Sequence, residues 1–214
     1  MTPFGLRRRL RERAVTTVRR LWMRYALRGV AQSDNHGRLD LAYLVPDPWK
    51  LDSEPEHARF RETSARLERA FGRPKTILEV GCGEGVQSEY FARQCDRLTG
   101  IDVSARAVER AKKRLPDAEL IAGDLVAQPW AGDADRFDVV VACEVIYYMS
   151  DVPAFLATMS RLGRGCMVTY FAAAERKMGQ YVRAIPGVAY DEIRHGDASW
   201  LVATWTPGAD AKRL

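Results

Sequence analysis

The sequence predicts an α/β fold with a mostly parallel seven-stranded sheet, helices on both faces and an antiparallel strand at its C-terminal end. Three observations carry that prediction. From residue 76 onward, short apolar runs alternate with helix-like stretches. The first run ends in a glycine-rich turn, Gly81-Cys82-Gly83-Glu84-Gly85, that leads straight into a helix pattern. The last two runs are joined by Gly196-Asp197, a turn signal that sends the final strand back antiparallel.

Residues 1–30 read as one amphipathic helix. Leu6, Leu10, Ala14, Val18, Leu21, Trp22 and Tyr25 recur at spacings of three and four, and arginines take most of the remaining surface. Ser33-Asp34-Asn35-His36-Gly37 reads as a turn or linker. Pro46 and Pro48 keep the segment up to Trp49 out of helix. A helix then runs from Ser53, which can cap it, to about Phe71. Pro55, Glu54 and Glu56 suit its first turn, and Gly72 and Pro74 end it. Strands are expected at 76–80, 97–101, 119–122, 137–143, 165–171, 189–194 and 200–205. Helices are expected between them at 86–93, 105–115, 152–162 and 174–184. This divides the chain into a basic helix with its linker, 1–45, and an α/β domain, 46–214.

With 47% hydrophobic and 29% charged residues the chain can build a core, which argues against wholesale disorder. No apolar run approaches the roughly 20 residues that span a bilayer. The four cysteines (Cys82, Cys95, Cys143, Cys166) are widely spaced and read as free thiols in a reducing cytoplasm. The three histidines are scattered, so no metal centre is legible.

The net charge of +5 is uneven. Residues 1–30 hold nine arginines and one acid, which is +8, so the rest of the chain carries 5 − 8 = −3. Three readings of this arm stand side by side. It is a helix lying across the domain, or a membrane-surface helix with Leu21 and Trp22 towards the acyl chains and arginines on anionic headgroups. The third reading, a nucleic-acid contact, lacks an aromatic-interleaved motif. The cytoplasm is the expected location, with peripheral attachment to the inner membrane under the second reading.

The chemistry concentrates around the glycine turn. Dinucleotide folds use Gly-x-Gly-x-x-Gly, but here the third glycine comes one residue early, at Gly85, and Val86 holds the expected slot. Glu79, two residues before Gly81, would repel a pyrophosphate and suits a ligand that carries an ammonium group. Asp102 ends the second strand 23 residues later, where an acid accepts from ribose hydroxyls, although an acid there can equally cap the following helix.

The run Ile77-Leu78-Glu79-Val80-Gly81-Cys82-Gly83-Glu84-Gly85 resembles motif I of the class I S-adenosylmethionine-dependent methyltransferases. That resemblance implies their Rossmann-like fold, S-adenosylmethionine as cofactor and S-adenosylhomocysteine as product. It places Glu79, Gly81, Cys82 and Gly83 at the cofactor, with Asp102 and Val103 at its ribose. Asp124 would accept from the adenine amino group, with the backbone of Leu125 facing the ring; the plainer reading of Asp124 is a loop acid. Cys143, at the end of strand four, borders the cofactor, and Glu144 faces the active site. Tyr148 stands where many members of the class carry a histidine; a phenol there can donate or orient but is a poor base. Alternatively Tyr147 and Tyr148 form an aromatic ledge against the cofactor.

Asp47-Pro48-Trp49, the helix with Glu56 and Arg59-Phe60, motif I, and Glu144-Val145-Ile146-Tyr147-Tyr148 together resemble the rhizobial nodulation N-methyltransferase group, from Asp47 to the C-terminus. This implies that Trp49 and the helix after it fold over the cofactor. It also implies an acceptor like the free amine of a deacetylated chito-oligosaccharide. An amine must be neutral to attack, and a carboxylate such as Glu144 can hold it and take its proton. A hydroxyl would need a stronger base, so a small-molecule or glycan amine is favoured and a hydroxyl comes second. An RNA acceptor reached through the arm lacks the Asn/Asp-Pro-Pro-Tyr signature after strand four. A non-catalytic cofactor-binding domain and an NAD(P)-dependent oxidoreductase are further alternatives; Glu79 and the early Gly85 disfavour the latter.

Overall fold

The computed structural model describes residues 18, 21–28, 30 and 36–208. The N-terminal helix expected over 1–30 therefore lies largely outside the described residues, although 21–26 are helical. Residues 33–35 of the expected linker lie outside them too. His36 and Gly37, expected in a turn, instead open helix α1 (His36–Ala42). Tertiary contacts override the weak local preference. Asp40 accepts from the Ser104 hydroxyl at 2.7 Å and pairs with Arg106, and Ala42 is buried.

Helix α2 (Glu54–Phe71) follows, with Pro55 in its first turn and Gly72 at its C-cap. Ser53 stands at the N-cap but makes no side-chain capping bond. Then come β1 (Thr76–Val80), α3 (Ser88–Ala92), β2 (Arg97–Asp102), α4 (Ala105–Arg114), β3 (Glu119–Ala122) and β4 (Phe137–Cys143). The chain ends with α5 (Val152–Leu162), β5 (Gly163–Phe171), α6 (Glu175–Val182), β6 (Ala189–His195) and β7 (Ala198–Trp205). Helix α3 is shorter than expected, because Val86 and Gln87 are still in the turn that follows Gly85. Strand β5 starts two residues earlier than expected. Its Gly165 is roofed by Phe71, whose ring would lie 2.6 Å from an added Cβ.

The sheet order is β3-β2-β1-β4-β5-β7-β6. Strand β7 is the antiparallel one, slotted between β5 and β6. Successive strand residues face opposite sides, and both sides are covered at the central strands β1, β4 and β5, which explains their nearly unbroken apolar runs. Ile77, Val139, Val141 and Met167 pack with Leu67 of α2 and Phe91 of α3. Leu78, Val80, Val140 and Val168 pack with Met159 and Leu162 of α5. Strand β1 pairs β2 on one side and β4 on the other. The strand order reverses there, so the loops after β1 and β4 diverge and open a crevice at the carboxyl ends.

Candidate active site

That crevice is a cavity of about 510 Å³. Its wall includes all twelve residues marked from the sequence: Trp49, Glu79, Gly81, Cys82, Gly83, Asp102, Val103, Asp124, Leu125, Cys143, Glu144 and Tyr148.

The glycine loop is set by backbone geometry. Gly81, Gly83 and Gly85 all have positive φ, at 75°, 53° and 79°. At Gly81 an added Cβ would also lie 2.2 Å from a Val145 methyl, so no other residue fits. The loop is stitched to the end of β2. The Ile101 carbonyl accepts from Gly81 N and Cys82 N at 2.7 and 3.1 Å, and the Asp102 carboxylate accepts from Gly83 N and Ser104 N at 2.9 and 2.8 Å. Asp102 thus orients the loop and the start of α4, while the Ser104 hydroxyl is the group that caps α4. Asp124 accepts from Val126 N at 3.0 Å and caps the short turn Leu125–Ala127.

Glu79 is buried, and its carboxylate accepts from the Ser88 hydroxyl at 2.5 Å. Burial pushes its carboxyl up to about 8, against the opposing pull of Ser88 and Arg59. A group so placed gains from a cation beside it.

The segment before α2 forms a strap over the cavity. Asp47 and Lys50 hold left-handed backbone conformations around Pro48-Trp49, with φ of 44° and 58°. Both Glu84 carboxylate oxygens accept from Asp47 N, at 3.1 and 3.0 Å, and Arg110 joins Glu84 to the Tyr43 and Val45 carbonyls. Trp49 donates from Nε1 to the Tyr43 hydroxyl at 3.1 Å, and its ring packs 5.9 Å from that of Tyr148.

On the β4 side, Glu144 has φ of 61° and its amide donates to the Thr169 carbonyl at 2.9 Å. Its carboxylate accepts from the Tyr147 hydroxyl at 2.6 Å and the Thr169 hydroxyl at 3.1 Å. Burial raises its carboxyl above the ordinary value, with Arg59 and these two donors pulling the other way. Burial also raises the Tyr148 phenol and pushes the Cys143 thiol up to about 12, so both keep their protons at neutral pH.

The cavity also holds polar groups that the sequence reading left out of the site. Arg59, only 2% exposed, donates from Nε to Glu56 at 2.8 Å and from a guanidinium nitrogen to the Gln87 carbonyl oxygen at 3.2 Å. The Gln87 amide nitrogen is buried without a hydrogen-bond partner. A signal for Arg59 was present: with Thr63 and Leu67 it lies on one helical stripe, so an arginine stood at a core-facing position. Tyr43 and Gln87 had no comparable signal.

A methyltransferase-domain family profile matches residues 78–165. In sheet order, glycine loop and profile the chain is similar to the class I S-adenosylmethionine-dependent methyltransferases, whose Rossmann-like fold it shares. Among curated proteins it is similar to the nodulation S proteins. It is 32% identical over 133 residues to nodulation protein S of Bradyrhizobium diazoefficiens, covering 62% of this chain and 64% of that one. With the Rhizobium tropici protein the identity is 31% over 136 residues, covering 64% and 57%. The chain thus spans less than two thirds of these curated relatives. The crystal structure of the N-methyltransferase NodS from Bradyrhizobium japonicum with S-adenosylhomocysteine matches with a TM-score of 0.63 at 26% identity, over 80% of this chain and 97% of that one. A ubiquinone biosynthesis O-methyltransferase of Rhodopseudomonas palustris is 33% identical over 115 residues, 53% of this chain and 46% of that one. Among the described residues no helix is long and apolar enough to cross a membrane.

Proposed function

We propose that the chain transfers the methyl group of S-adenosylmethionine to an amine of a small-molecule or glycan acceptor. One observation carries this reading: a single cavity joins two carboxylates in different settings, Glu79 behind the glycine loop and Glu144 at the end of β4. The cofactor supplies, when bound, a methyl carbon made electrophilic by a sulfonium, set for in-line displacement.

The residues fit that cofactor. Glu79 complements its ammonium group. The Gln87 amide nitrogen is a buried donor without a partner, a state that costs about 1–3 kcal/mol, and together with Arg59 it suits the cofactor carboxylate. Asp102 and Val103 take the ribose, and Asp124 and Leu125 take the adenine. Cys82 and Cys143 pack as neutral thiols beside the glycine turn. Trp49, held by Tyr43, closes the site and excludes water.

Glu144 receives the acceptor ammonium and takes its proton, freeing the lone pair for attack. Tyr148 orients the acceptor, and its raised phenol keeps it from acting as the base. An amine is favoured because a carboxylate can deprotonate an ammonium group but is a weak base towards an alcohol. The N-methyltransferase likeness supports this choice. Likeness to the O-methyltransferases makes a hydroxyl acceptor the second reading. We assign residues 1–30 to an anionic membrane surface, consistent with the exposed Val18, Leu21 and Tyr25.

Methyl transfer from labelled cofactor tests the acceptor. Glucosamine oligomers are expected to be methylated and their N-acetylated forms to be inert. Equal labelling of both would move the reaction to a hydroxyl. Co-sedimentation with anionic but not neutral vesicles is expected of the full chain; equal behaviour on both would remove the membrane contact.

A further inference from the structure

Tyr147 is the cavity tyrosine that the methyl-transfer reading leaves without a role, and its hydroxyl both donates and accepts a hydrogen bond. Glu144 follows β4 in a left-handed conformation, which a non-glycine residue keeps only where its surroundings dictate it. Two groups do so. Its amide extends the β4–β5 ladder onto the Thr169 carbonyl, and its two carboxylate oxygens each receive one hydroxyl. Tyr147 is the stronger donor of the pair: 2.6 Å lies in the range of a charge-assisted O–H···O⁻ bond, whereas Thr169 stands at 3.1 Å.

The phenol proton has one destination. The Tyr147 oxygen also accepts from the amide of Phe171, the last residue of β5, which is paired in register with Trp200 of β7. With that N–H filling an acceptor position, the hydroxyl proton points to Glu144. Phe171 N, Tyr147 and Glu144 therefore form a chain that starts on the sheet and ends on a carboxylate in the cavity.

We propose that Tyr147 is a positioning residue for Glu144, fixing its rotamer and holding its carboxylate ionised at a lower pH than the buried site would otherwise allow. This rests on the reading of Glu144 as the acceptor's base. The other titratable groups facing Glu144 are Arg59 and Glu56 from α2, Cys143 from β4 and Tyr148. Arg59 favours the ionised form and Glu56 opposes it. Tyr147 adds a donor that can be removed without changing net charge.

The test reads Glu144 directly and needs no acceptor. Carbon-13 labelled glutamate is titrated by NMR in the whole protein, with the Glu144 signal assigned by its loss in Glu144→Gln. Tyr147→Phe keeps the ring and removes the hydroxyl. Its Glu144 midpoint is expected to rise by about one pH unit, with a smaller rise in Thr169→Val. In methyl transfer the acid limb of the rate profile should rise with it, and turnover should fall about tenfold while S-adenosylhomocysteine affinity holds. An unmoved midpoint in a folded Tyr147→Phe overturns the proposal, whatever its activity. If the midpoint moves but Glu144→Gln retains full turnover, the base reading fails and the positioning role for catalysis falls with it, while the hydrogen-bond chain stands.

Discussion

The two sides of the cavity are built by different means. On the β1–β2 side the backbone does the shaping: three positive-φ glycines, a carbonyl that takes two successive amides, and an aspartate that takes two more. On the β4–β5 side the shape comes from side chains: Glu144 is held by two hydroxyls, and Tyr148 packs against Trp49. A backbone-built site suits a ligand that does not vary, and a side-chain-built site can be retuned for different acceptors. The comparison predicts that substitutions on the first side damage cofactor binding and the fold together. On the second side they should damage turnover alone.

The largest effect is expected at Gly81→Ala. The new methyl would meet Val145 at 2.2 Å in a conformation that L-residues avoid. Thermal unfolding should show a loss of about 3 kcal/mol or more, and S-adenosylhomocysteine binding should vanish. Near-normal binding would mean that the loop is softer than its geometry implies. Next comes Glu144→Gln, where turnover should drop by about 10²–10⁴ in initial-rate assays while product affinity stays within about twofold.

Glu79 gives a more finely resolved test. Its carboxyl titrates near 8 in the free protein, so it is protonated at pH 7. An ammonium beside it favours the ionised form. Cofactor binding at pH 7 should then release close to one proton, seen as a buffer-dependent binding enthalpy, and the release should fade above about pH 8. Because the folded value lies above the ordinary one, the stability that neutral Glu79 contributes is full below about 4.5 and is lost as pH rises towards 8. Glu79→Gln should flatten that slope, abolish the release and weaken binding about tenfold or more. The smallest effect is expected at Tyr43→Phe, which removes the hydroxyl that holds the Trp49 indole at 3.1 Å. Cofactor affinity should fall by about threefold to tenfold by calorimetry.

The same contrast explains what could be read from the chain. The central strands β1, β4 and β5 were legible because strands covered on both faces carry nearly continuous apolar runs, and the Gly196-Asp197 turn announced the returning strand. The positions of Glu79, Asp102 and Asp124 on the cavity wall were legible because each lies at or just after the end of a strand. The strap and the deeper polar groups were harder. Tyr43 reaches the cavity through Glu84 and Arg110, which lie 41 and 67 residues away in sequence (84 − 43 and 110 − 43), and no local pattern encodes such a bridge. The same holds for α1. Its His36-Gly37 start reads as a turn, and the Asp40 contacts to Ser104 and Arg106 that hold it are set by the fold. Gln87 could not be singled out because its role depends on which of its two amide ends Arg59 occupies.

The most direct test is calorimetric titration of the wild type, Glu79→Gln and Glu144→Gln with S-adenosylhomocysteine, with NADH as a control. A cavity split into a cofactor side and an acceptor side predicts micromolar binding by the wild type and by Glu144→Gln, a marked loss in Glu79→Gln and no binding of NADH. Equal losses in the two variants, or binding of NADH in place of S-adenosylhomocysteine, would contradict that division.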